Sequence, residues 1–110
     1  MSLDSVPPPV RLRPELLDDV AEAFAWYEAQ AEGSGHDFTR AFFAAVVRAG
    51  RQPKMARIVY AGFRRVRLRR FPHSLYYRAE TSETVFFLLF HGARHPDQLH
   101  RTLRARRSAP

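Results

Sequence analysis

Residues 63–96 read FRRVRLRRFPHSLYYRAETSETVFFLLFHGARHP, and the fold turns on how this stretch is parsed. Alternation with a period of two predicts three strands. The first, Phe63 to Arg70, turns Val66 and Leu68 one way with Arg64 and Arg70, and turns Arg65, Arg67 and Arg69 the other way. Phe71-Pro72 makes the turn, because the residue before proline is pushed out of helix. The second strand, His73 to Glu80, puts Leu75, Tyr77 and Ala79 on one face and Ser74, Tyr76 and Arg78 on the other. Thr81-Ser82-Glu83 turns the chain into a third strand, Thr84 to His91, which is apolar on both faces. That pattern predicts a central strand covered from both sides.

Working outward, Val10 to Arg13 alternates like a short strand, and Pro14 with Glu15, Asp18 and Asp19 suits the start of a helix to about Glu32. Leu17, Val20, Phe24, Tyr27 and Ala31 make its apolar stripe. Gly33-Ser34-Gly35 stops it. A second helix, about His36 to Gly50, carries the stripe Phe38, Phe42, Ala45, Val46 and Ala49. Gln52 to Gly62 is a connector with a short apolar run at Ile58 to Tyr60. Pro96 to about Arg106 makes a final helix anchored by Leu99 and Leu103. The expected order is β-α-α-β-β-β-α, an α+β domain with a helical hairpin on a small, mainly antiparallel sheet. One domain spans residues 10–104, between a flexible lead-in at 1–9 and a basic tail at 105–110.

Charge narrows the function. The 110 residues carry a net charge of +7. Residues 1–37 hold eight carboxylates and two arginines, whereas residues 38–78 hold eleven basic residues and no carboxylate. All but Lys54 of those eleven are arginine, whose planar fork grips phosphate or carboxylate at two points. A one-signed surface of this kind calls for an anionic partner, either nucleic acid or an acidic protein segment. With no cysteine there is no disulfide framework or thiolate metal site. No run is long enough to span a membrane and no secretory signal opens the chain, so the expected location is the cytoplasm.

Catalytic patterns are sparse. The five histidines, His36, His73, His91, His95 and His100, do not fall at zinc-ligand spacing, and no metal or cofactor is expected. Neither Ser74 nor Ser82 sits in a nucleophile elbow. Metal-free RNA cleavage needs a base, an acid and cations for the phosphorane. Arg65, Arg67 and Arg94 offer the cations, and a histidine or Tyr76 the proton transfer, without a fixed acid–base pair.

Three pieces together carry a family resemblance: VRLRPELLDDVAEAFAWYEAQ at 10–30, GFRRVRLRRFPHSLYYR at 62–78, and FHGARHPDQL at 90–99. The chain resembles the RelE/ParE superfamily of toxins from type II toxin–antitoxin modules, and its ParE-like, plasmid-stabilisation branch in particular. The resemblance implies an α+β toxin neutralised in a hetero-oligomer by a cognate antitoxin with an acidic amphipathic segment, seated on Leu17, Phe24, Trp26, Arg65 and Arg67. ParE-like members imply poisoning of DNA gyrase, with Arg65, Arg67, Arg69, Tyr76, Arg78 and Arg94 as the target-binding set. RelE-like members imply ribosome-dependent mRNA cleavage, for which Arg65, Arg67 and Arg94 are the matching positions, with His100 or Leu99 near the place of the family's C-terminal tyrosine and His100 the candidate acid. Here arginines stand where lysines are usual, and Ser74 stands where those ribonucleases carry another arginine. Arginine holds its proton and stabilises charge rather than shuttling protons. The reading is therefore a binding toxin; a ribonuclease is the alternative, and a non-toxic protein that only pairs with its antitoxin is the third.

Overall fold

The computed structural model describes residues 6–92 and 95–108. Its elements are β1 (Val10–Leu12), α1 (Pro14–Gln30), α2 (Ser34–Arg51), β2 (Ile58–Tyr60), β3 (Phe63–Arg67), β4 (His73–Ala79), β5 (Thr84–His91) and α3 (Pro96–Ser108). They build an α+β domain around a five-stranded sheet of order β1-β5-β4-β3-β2. β1 runs parallel to β5, and the other pairs are antiparallel. The apolar run at Ile58 to Tyr60 is a strand in its own right, added at the far edge.

Pro14 opens α1 from an extended Arg13, a position where the missing N–H costs nothing. Leu16 and Val20 turn inward, and α2 contributes Phe38, Phe42, Ala45 and Val46 to the same core. Gly35 lies so close to Phe24 that an added Cβ would sit 2.8 Å from its ring. Glu28 folds back towards the turn, and its carboxylate accepts N–H bonds from Gly33 and Gly35, both at 2.9 Å. Those two bonds hold its pKa below the usual carboxylate value and tie the hairpin turn to α1.

The sheet has a core on each face. Leu75, Tyr77, Phe86 and Leu89 meet the helical hairpin. Phe63, Tyr76, Val85, Phe87 and Leu88 meet Leu99 and Leu103 of α3. β5 is therefore covered on both sides, as its two apolar faces require. The alternation breaks once: Tyr76 pairs with Leu88 and Tyr77 with Phe86, leaving Phe87 as the extra residue of a bulge. Phe87 and Leu88 consequently pack on the same face.

The last helix continues to Ser108, through the first residues expected to form a basic tail. The reason is Arg106, which donates to the Asp19 carboxylate at 2.6 and 2.9 Å and to the Phe87 carbonyl at 2.8 Å. No helix among the described residues is long and apolar enough to cross a membrane.

Candidate functional site

β3 presents the arginines. Its register sets Arg65 opposite Tyr76 and Arg67 opposite Ser74, and Ser74 in turn pairs with Phe90 of β5. Arg65 is half-buried and Arg67 exposed. Neither pairs with a carboxylate among the described residues. These two side chains share the α3 face of the sheet, next to Ser74 and Phe90.

Arg69 leaves this row. β3 ends at Arg67, and Arg70 takes a left-handed conformation with φ of 67°, so strand parity no longer applies beyond that point. Arg69 instead neighbours Arg48 of α2, whose pKa falls below its ordinary value through burial and then through repulsion from Arg69. Arg48 itself reaches the Arg67 carbonyl at 2.8 Å. The cationic surface thus turns the corner from the sheet face to α2.

Two of the expected target-binding residues are placed differently. Tyr76 is 1% exposed, roofed by α3, and its hydroxyl makes no hydrogen bond among the described residues. Arg78 is committed internally: it bonds Glu80 and the Ala61 carbonyl and lies 5.3 Å over the Phe63 ring. Its guanidinium fills the space beside Gly62, where φ is +83°. Parity assigned both residues to the arginine face correctly, but α3 covers Tyr76 and Arg78 folds onto the turn at Ala61 and Gly62. Arg64 is also structural, donating to the carbonyls of Lys54 and Ala56. Arg94 lies outside the described residues.

Of the ribonuclease set, Arg94 lies outside the described residues and His100 is engaged by another ring. His100 stacks flat on Tyr60, with centroids 3.8 Å apart, and Tyr60 accepts a bond from Arg104 at 2.6 Å. Tyr60 pairs with Phe63, four residues before Arg67, a separation of roughly 13 Å along the strand. His73 is buried among the rings of Tyr27, Phe38 and His91. Burial first, and the neighbouring His91 second, push its pKa down to about 4.

That depression predicts a pH dependence of stability. The folded pKa lies below the unfolded one, so protonation favours unfolding. The contribution of neutral His73 is fully present above pH 6.5, shrinks as the pH falls towards 4, and is gone below it. Its size is about 3 kcal/mol. Urea titrations between pH 7 and 4 should show this loss, and His73→Phe should remove most of it.

The hairpin surface offers a second feature. Leu17 is 46% exposed, Phe43 47% and Val47 48%. Phe24 stacks edge-on against His36, and Gly50 packs against Val10. Leu17 lies about two helical turns before Phe24, on the flank of α1 that meets α2 at Gly35. Trp26, at 59% exposed, falls half a helical turn away from Leu17, on the opposite flank of α1. The expected antitoxin-binding residues on α1 are therefore divided: Leu17 and Phe24 face the α2 side, and Trp26 faces the β5 edge. Phe43 and Val47 escaped sequence analysis because they lie one residue outside the core stripe of α2. Their own spacing of four was the available signal.

A helical hairpin packed on a small sheet whose third strand displays arginines is the arrangement that the resemblance to RelE/ParE toxins implies. A family model, described as the ParE toxin of the type II toxin–antitoxin system parDE, matches residues 10–96. The chain belongs to this ParE toxin family. Among solved structures, a chain from the chromosomal ParDE TA system of P. aeruginosa is similar, with a TM-score of 0.71 and 13% identity over 77% of this chain and 96% of that one. No curated protein matches the sequence.

Proposed function

We propose that this ParE-family chain is a cytoplasmic toxin that works by binding, with DNA gyrase as its target, and that a cognate antitoxin neutralises it. The observation that carries the reading is the pair Arg65 and Arg67: on one sheet face, free of carboxylate partners among the described residues, and with the proton-transfer candidate in register, Tyr76, buried beneath α3. Ser74 stands opposite Arg67 and the Tyr76 hydroxyl opposite Arg65 is buried, so the exposed part of this patch holds charge without a general acid or base among the described residues. It suits recognition of an anionic surface. Family membership supports the toxin class; gyrase is the target this branch implies.

The antitoxin would bring an acidic amphipathic segment that orders on binding. Its apolar side would cover Leu17, Phe24, Phe43 and Val47, and its carboxylates would reach the arginine surface. Controlled expression tests the reading. Induction should arrest growth with a DNA-damage response, and co-expression of the product of a short adjacent reading frame should restore growth. Growth arrest with mRNA cut at ribosomal A-site codons would instead establish the ribonuclease alternative. Induction without any effect would point to the non-toxic one.

A further inference from the structure

A cavity of about 620 Å³ opens between α1 and the ends of β4 and β5, away from the arginine strand. Asp19, Glu22 and Trp26 of α1 form one wall, His73 contributes from β4, and Leu89 and His91 contribute from β5. The cavity exists because β1 is short. β1 pairs with β5 only over Thr84–Phe86. Beyond that, the outer edge of β5 is met by side chains: Arg106 takes the Phe87 carbonyl and Asp19 takes the Leu89 N–H at 3.1 Å. Strand geometry then turns the Leu89 carbonyl and the His91 N–H to the same open side. Among the described residues no strand lies alongside them.

The chemistry of the wall is opposite in sign to the arginine surface. Asp19 is occupied by Arg106, but Glu22 is exposed and pairs with no cation among the described residues. Trp26 stands one helical turn further along the same flank, its indole largely in solvent. His73 is only 8% exposed, and its Nδ1 is buried without a hydrogen-bond partner. A free carboxylate beside an open indole face calls for a ligand that is cationic and flat. A guanidinium is both: it stacks on indole and pairs with carboxylate.

We propose that this cavity and the adjoining edge of β5 bind an extended segment of a partner polypeptide that carries an arginine. The segment's backbone pairs with the Leu89 carbonyl and the His91 N–H, and its guanidinium sits between Trp26 and Glu22. Backbone pairing fixes direction and register, while the pocket selects the side chain. This site is independent of the gyrase and antitoxin readings, because it asks for a basic residue where those ask for an acidic surface.

Trp26 is the only tryptophan in the chain, so its fluorescence reports on the cavity directly. Full-length protein is titrated with acetyl-Val-Arg-Val-amide and with the matching leucine, glutamate and citrulline peptides. The arginine peptide should give a saturable change in Trp26 emission and shift the His91 amide in a nitrogen-15 NMR spectrum. The citrulline peptide, and the Glu22→Gln protein with the arginine peptide, should each bind at least ~5-fold more weakly. Glu22 is exposed, so this substitution leaves the core untouched. A leucine or glutamate peptide that binds as tightly as the arginine peptide would overturn the proposal, as would the absence of any saturable change.

Discussion

A Leu17→Glu, Phe43→Glu double variant is expected to fold like its parent and to lose at least ~100-fold in affinity for the antitoxin. Both side chains are nearly half exposed, and neither belongs to the buried core of the hairpin. Replacing them removes two large apolar contacts and sets two carboxylates against an acidic partner. Like charges brought together on binding cost several kcal/mol. Calorimetric titration of purified antitoxin into each protein measures the effect, with circular dichroism as the check on folding. Unchanged affinity would mean that the antitoxin seats elsewhere, and the apolar hairpin patch would then need another occupant.

The second large effect concerns stability. Arg106→Ala should destabilise the domain by about 3 kcal/mol or more. The pair with Asp19 is part-buried, with each side chain 18% exposed. Losing the guanidinium leaves the Asp19 carboxylate without its cation and the Phe87 carbonyl without its donor. It also releases the C-terminal end of α3 from the sheet. The companion variant Arg106→Met with Asp19→Leu should recover much of the loss, because an apolar pair avoids the stranded charge. Urea denaturation of both variants distinguishes a load-sharing ion pair from a frayed helix end, for which Arg106→Ala would change nothing.

Much of this architecture was legible in the residues. The 3.6-residue stripes of α1 and α2 fixed a helical hairpin, and the two-sided apolar run Thr84–His91 required cover on both faces. What stayed hidden depended on distance in sequence. Asp19 and Arg106 lie 87 positions apart, and nothing local marks either as the other's partner. The arginine surface shows the limit of parity. Alternation places Arg65, Arg67, Tyr76 and Arg78 on one face, yet it does not say where α3 lies on that face. Tyr76 is therefore core, and Arg78 is the prop of the turn at Ala61 and Gly62. Arg69 departs because the chain leaves the strand at Arg67. Phe43 and Val47 are the converse case: apolar residues outside the core stripe, visible only as a second stripe with the same spacing.

The claim that this protein acts by binding gyrase through Arg65 and Arg67 meets its most direct test in a DNA supercoiling assay. Purified protein is added to gyrase beside the Arg65→Glu, Arg67→Glu variant. Supercoiling should be inhibited by the parent, restored by antitoxin, and unaffected by the variant. Undisturbed supercoiling by the parent protein, together with cleavage of ribosome-bound mRNA, would contradict the account.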